Sequence, residues 1–282
     1  MVAPPDGWSD DALGALREAL LREVKAAART RPGRAFAPGR GVEARTDDRP
    51  AVAPGLSGGH AERGTPPVGE RAPQPQVAAA GSLSTEEEAA LARHRPRVLG
   101  IGASTGGAAA LSPILPLLPV DSPPIVIVDH MPEGFTREFA DRLNERCRVR
   151  VVEAEDQQEL SPGVVAIAPG GARHLEVRAS RSGGFYVELA PGEKVSGHRP
   201  SVNVLFRSLA KVAGKEAAAG LLTGMGRDGA EGLLALRRAG AFTLAQDEAT
   251  SVVFGMPKAA LELGAAVVAV PLDSVPARLL GR

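Results

Sequence analysis

The chain has 282 residues, 44% of them apolar, which by length alone is room for about two average domains. Lysine plus arginine (33) equals aspartate plus glutamate (33), so no global field favours nucleic acid or anionic lipid, and 3% aromatics leave few platforms for stacking single-stranded bases. The single cysteine, Cys147, excludes an internal disulfide and suits a reducing compartment.

Near the N-terminus Leu13, Leu16, Leu20 and Val24 recur at helical spacing, with Arg17, Glu18, Arg22, Glu23 and Lys25 on the other faces. This predicts an amphipathic helix within residues 1–30, starting near Ser9 or Asp10, and its expected use is docking an unidentified partner or dimerising. A solvated helix without a partner is the alternative. The opening residues Met1 to Asp6 lack the basic flank and apolar run of a secretory signal. No uncharged apolar stretch reaches the roughly 18 residues a bilayer crossing needs. The expectation is a cytoplasmic protein with no direct membrane insertion and no nucleic acid partner.

Residues 31–96 read as a flexible linker. Eight prolines and nine glycines fall between Arg31 and Gly81, a density that leaves too little apolar surface to build a core. A short helix is predicted after the capping box Ser84-Thr85-Glu86-Glu87.

From residue 97 to 282 short β-branched runs alternate with segments of helical spacing. Val98 to Ala103, Ile125 to Asp129, Val149 to Val152, Ala218 to Thr223, Phe242 to Gln246 and Val267 to Val270 are the predicted strands. Strands separated by 10 to 15 helical residues imply βαβ crossovers. Val164 to Leu189 alternates apolar with polar residues around Gly170-Gly171 and Ser182-Gly183-Gly184, which predicts antiparallel hairpins. The expected fold is α/β: a doubly wound, mainly parallel sheet with an antiparallel edge hairpin.

Ligands of such sheets bind at the carboxyl ends of strands. Three ends carry chemistry here: Gly102-Ala103-Ser104-Thr105-Gly106-Gly107, a G-x-S-x-G turn; Asp129-His130-Met131-Pro132; and Leu222 to Gly229, which includes Met225 and Asp228. A serine on a strand-to-helix turn is lifted clear of the sheet beside free backbone N–H groups. Histidine can take and return a proton near pH 7, and a carboxylate behind it fixes its tautomer. Ser104, His130 and Asp228 therefore have the residue types of a catalytic triad, and the Met225 N–H is a candidate oxyanion donor. Each also has a bland reading: a small residue at a turn, a structural histidine, a helix cap.

A dinucleotide site is the competing enzyme class, since Gly100, Gly102 and Gly106 with Asp129 resemble a loosened fingerprint. It lacks the G-x-G-x-x-G spacing, because position 105 is threonine. His60 and His94 are expected to be solvent-exposed. His174 follows a glycine turn, and His198 lies in a Ser196 to Ser201 loop placed to line the cleft. No pair has metal-site spacing, so neither a metal nor another cofactor is expected.

At these residues the chain resembles a known family. The segments Ile101 to Gly107, His130-Met131-Pro132, Ala168 to Gly171, Arg199 to Val202, Leu222 to Gly226, Asp228-Gly229-Ala230 and Val252 to Pro257 look like the catalytic domain of chemoreceptor methylesterases of the CheB family. The resemblance implies a serine hydrolase that removes methyl esters from glutamates on the cytoplasmic helical region of methylated chemoreceptors, and that often deamidates glutamines there. The family's serine, histidine and aspartate fall on Ser104, His130 and Asp228, and its oxyanion-hole methionine on Met225. Asp129 stands where the family usually has glutamine, adding a negative charge beside the candidate base; Asn203 replaces a common aspartate, and Gln157-Gln158 a common Asp-Gly. The family usually also carries a receiver domain, and residues 1–96 are too short and too rich in proline and glycine to be one. A non-catalytic receptor-binding scaffold is the remaining alternative.

Overall fold

The computed structural model describes residues 94–282. The amphipathic helix of residues 1–30, nearly all of the 31–96 linker and the capping-box helix lie outside the described residues.

The strands in chain order are β1 (Val98–Ala103), β2 (Ile125–Asp129), β3 (Arg150–Glu153), β4 (Glu159–Leu160), β5 (Val164–Ile167), β6 (Arg173–Ala179), β7 (Phe185–Pro191), β8 (Ala217–Leu221), β9 (Phe242–Gln246) and β10 (Val268–Val270). Six α-helices connect them: α1 (Gly107–Ile114), α2 (Phe135–Asn144), α3 (Val202–Val212), α4 (Ala230–Arg238), α5 (Met256–Glu262) and α6 (Val275–Leu279). Among the described residues no helix is long and apolar enough to cross a membrane.

Every residue of β1, β2 and β8 is buried, which is why these runs show no polar alternation: parallel strands are covered on both faces. They lie in a seven-stranded sheet of order β10-β9-β8-β1-β2-β5-β3, all of whose pairs are parallel. Leu99, Ile101, Ile125 and Ile127 face one layer with Leu111 and Ile114 of α1, Phe139 and Leu143 of α2 and Leu279 of α6. Val126, Val128, Ala219 and Leu221 face the other, with Leu205, Phe206 and Leu209 of α3, Leu233 of α4 and Ala260 of α5. In α3 the buried Val202, Leu205, Phe206 and Leu209 recur at i, i+3, i+4 and i+7, so one stripe of the helix seats on the sheet.

Two of the glycines read as a loosened nucleotide fingerprint have a packing explanation instead. A Cβ on Gly102 would fall 2.2 Å from Val202 Cγ1, and one on Gly100 2.6 Å from Leu209 Cδ1. Their absent side chains let α3 press against β1.

The antiparallel hairpin is present as β6 and β7, joined by β4 into a separate three-stranded sheet. Val164–Ile167 differs from the expectation of hairpins through this region. As β5 it enters the parallel sheet between β2 and β3.

The chain leaves β1 towards β2 on one side and later returns to β8 on the other. The carboxyl ends of β1 and β8 thus flank the switch point of the sheet, where open α/β folds bind ligands.

Candidate active site

The last paired residues of β1 and β2 are Ala103 and Asp129. Ser104 and His130 each follow directly, so they leave neighbouring strands about 4.8 Å apart. The His130 N–H reaches Ala103 O at 3.3 Å, and the Ser104 N–H is held by Thr223 O at 3.0 Å. Gly106 takes φ +86°, ends the turn and opens α1. The loop that follows β8 closes over this turn because Gly224 has no side chain: a Cβ there would lie 2.9 Å from Ser104 Cβ and 2.3 Å from Met256 Sδ.

That loop delivers Asp228 to His130, with His130 Nε2 and Asp228 Oδ2 2.9 Å apart. The two side chains are 7% and 0% exposed. Asp228 Oδ2 also accepts the Val202 N–H at 2.7 Å, while Oδ1 accepts the Ser201 hydroxyl at 2.8 Å and the Asn203 N–H at 3.2 Å. The Ser201 side chain does not cap α3 itself. Asp228 does so from another element, placing its charge at the positive end of an 11-residue helix. The bland reading of Asp228 as a helix cap is therefore correct in kind, but the helix is α3 and not its own α4. Burial opposes the charge on Asp228, yet the hydrogen bonds from His130, Ser201 and Val202 outweigh it and hold the carboxyl below its ordinary range.

With Nε2–H committed to Asp228, the basic atom of His130 is Nδ1, which is buried and without a hydrogen-bond partner. The Ser104 hydroxyl is hydrogen-bonded to neither His130 nor any other described residue. Nucleophile-to-base contacts are often loose before substrate arrives. The Met225 N–H has no acceptor among the described residues, and its side chain is 53% exposed at the mouth of the site. The Thr105 N–H, next after Ser104, is likewise without an acceptor there. This second donor went unnamed in the sequence reading, although its position after the serine is the usual one for such turns.

Sequence reasoning placed the His198 loop along the cleft, as the structure shows, but not the contacts that support the site. The imidazole of His198 stacks on that of His130, ring centroids 3.7 Å apart and planes 2° from parallel. His174, 4% exposed, donates Nε2–H to Glu193 O and accepts the Ser201 N–H at Nδ1, so its wiring is that of a neutral ring. His94, expected to be exposed, is half-buried with its ring centroid 6.4 Å from that of Phe242. Among the described residues no group of three or more His, Cys, Asp or Glu side chains is arranged to hold a metal ion.

Asp129 behaves differently from its sequence reading. Its carboxyl is 2% exposed and lies over Gly107, where an added Cβ would fall 2.4 Å from Oδ1. Burial pushes its pKa up to about 7, opposed only by the His130 backbone N–H. Below that pH it adds little negative charge beside the base. The folded protein therefore keeps a proton that the unfolded chain releases near pH 4, and stability falls as pH rises from about 4 to 7. Asp129→Asn, neutral throughout, is expected to remove that decline and to exceed the parent at pH 8 by up to about 4 kcal/mol. Urea unfolding of both proteins at pH 5 and pH 8 checks this; parallel pH dependences would contradict it.

Comparison with known proteins shows the family of the chain. Residues 99–279 match the family model described as CheB methylesterase, and the chain belongs to that family. It is 52% identical over 210 residues to protein-glutamate methylesterase/protein-glutamine glutaminase 2 of Pseudomonas aeruginosa, covering 74% of this chain and 56% of that protein. It is 47% identical over 220 residues to the protein-glutamate methylesterase/protein-glutamine glutaminase of Escherichia coli K12, covering 72% and 62%. The chain thus spans little more than half the length of these curated relatives. The crystal structure of the Thermotoga maritima CheB methylesterase catalytic domain superposes with a TM-score of 0.63 at 39% identity, covering 66% of this chain and 97% of that one.

Proposed function

We propose that this chain hydrolyses methyl esters of glutamate side chains on the cytoplasmic helical region of methylated chemoreceptors, and deamidates receptor glutamines by the same route. Residues 97–282 form the catalytic domain in this reading, preceded by the 31–96 linker and the 1–30 helix as a docking element, and the protein works in the cytoplasm. The observation that carries the proposal is the buried, unpartnered His130 Nδ1 at the strand end beside Ser104, with Nε2 anchored on Asp228.

Ser104 Oγ attacks the ester carbonyl while His130 Nδ1 takes its proton, and Asp228 stabilises the imidazolium that forms. The Met225 and Thr105 N–H groups receive the oxyanion. Collapse breaks the carbonyl–methoxy bond, and methanol leaves with the proton from His130. Water then attacks the acyl-serine with His130 again as base, restoring Ser104 and leaving a glutamate carboxylate. With a glutamine amide the leaving group is ammonia.

Relatives named for both activities support this assignment. The test is release of labelled methanol from radiomethylated receptor membranes incubated with the protein. Steady release above the protein-free rate is expected. Receptor binding without release, under conditions where an established methylesterase turns over, would favour the scaffold reading instead.

A further inference from the structure

The segment between β7 and α3 touches both members of the His130–Asp228 pair. Its Ser201 hydroxyl and Val202 N–H grip Asp228, and three residues earlier His198 lies flat on His130. The turn that presents His198 is held from several directions. Val195 and His198 exchange backbone hydrogen bonds of 3.0 Å, the amide of Asn203 donates to Ser196 Oγ at 3.1 Å, and Arg199 Nη1 donates to Gly192 O at 2.6 Å. At its tip Ser196 and Gly197 both have positive φ, +53° and +83°. A non-glycine residue in that region is uncommon and persists where its surroundings over-determine it.

The consequence lies in the rotation of one ring. His130 is bonded at Nε2 only, and a single hydrogen bond leaves an imidazole free to tilt or flip about its own axis. A half-turn about Cβ–Cγ puts Cε1 in the place of Nε2 and Cδ2 in that of Nδ1, so it breaks the bond to Asp228 and carries the free lone pair to the opposite edge of the ring. A flat ring 3.7 Å away and within 2° of parallel leaves no room for such tilting.

We infer that His198 is a positioning residue for His130: its stacked ring keeps Nε2 on Asp228 and Nδ1 towards the nucleophile. This rests on the triad reading above. The flat ring is what matters, so a neutral aromatic substitutes for it and a small or merely polar residue does not.

The experiment compares His198→Ala, His198→Gln and His198→Phe in the full chain, by methanol release and by 15N spectra of histidine-labelled protein. His198→Ala and His198→Gln are expected to lose about 10- to 100-fold in kcat with little change in KM, the scale of loss when a reacting group is misplaced by about an ångström. His130 should show one Nε2–H tautomer in the parent and exchange-averaged signals in both variants. His198→Phe is expected to recover most of the rate and the single tautomer. Should His198→Ala fail to fold, the Gln and Phe variants decide between them. The inference is overturned if Ala or Gln leaves kcat and the His130 tautomer intact, if kcat falls while the tautomer stays fixed, or if Phe is as impaired as Gln. The spectra do not depend on turnover, so an active Ser104→Ala protein would defeat the triad reading while the His130 signals still judged His198.

Discussion

Ser104→Ala is expected to lower methanol release by roughly 10⁶-fold, to the residual rate that an oxyanion site and substrate binding sustain without a nucleophile. The stability of the fold should barely change. Ser104 is partly exposed, its hydroxyl donates to no described residue, and the bonds that hold its turn come from its backbone, through Thr223 O and the Gly107 N–H. The Ala variant keeps all of them. Methanol release measured beside a thermal melt separates the two effects: an unchanged melt with turnover lost is the expected pair. Turnover within about tenfold of the parent would exclude the covalent route through Ser104.

Asp228→Asn combines a catalytic loss with a structural one. Each carboxylate oxygen accepts from a backbone N–H, Val202 on Oδ2 and Asn203 on Oδ1. Whichever way the amide is turned, its NH₂ therefore confronts one of them. If the NH₂ replaces Oδ2 it also faces His130 Nε2, which must then accept, moving the proton to Nδ1 and removing the base from Ser104. We expect kcat to fall by about 10⁴-fold, as when a triad carboxylate becomes an amide. The fold should lose about 2 kcal/mol from one unsatisfied buried donor and the missing charge at the α3 N-terminus.

The pH dependence follows from the sign of the shift. The folded carboxyl lies below its ordinary value of 3.8, so its ionised form stabilises the parent above about pH 4 and that stability is lost as pH falls through the folded value. The Asn variant lacks this acid limb. Urea unfolding from pH 3 to pH 7 reads it, and identical curves for parent and variant would mean that Asp228 is not held by these bonds.

Asp129 and Asp228 lie 99 positions apart; burial pushes both carboxyls up, yet the net shifts are opposite in direction. Both are buried, and only Asp228 meets a set of donors. Sequence shows two acidic residues at loop junctions. Whether each is ionised depends on what the rest of the chain brings within 3 Å.

The same division runs through the fold. Val98–Ala103, Ile125–Asp129 and Phe242–Gln246 were legible to the residue, the first two because a strand buried on both faces is a nearly continuous apolar run. Val164–Ile167 was not assignable to its sheet. A four-residue apolar run looks the same in a hairpin or in a parallel ladder, and its partners β2 and β3 are distant in sequence. For the site, the strand-end rule located Ser104, His130 and the Asp228 loop, since residue type and chain position suffice for that rule. The supporting contacts of His198, His174 and Ser201 had no such signal beyond the Ser196-Gly197 turn.

Local order thus determined which segments are strands and which residues stand at their carboxyl ends, because periodicity and turn chemistry act over a few neighbours. Only the tertiary structure decided which imidazole nitrogen faces Asp228, which ring lies on His130 and which aspartate keeps its charge. Those outcomes depend on separations of 3 to 4 Å between residues tens of positions apart, set by how α3 and the loops close on the sheet.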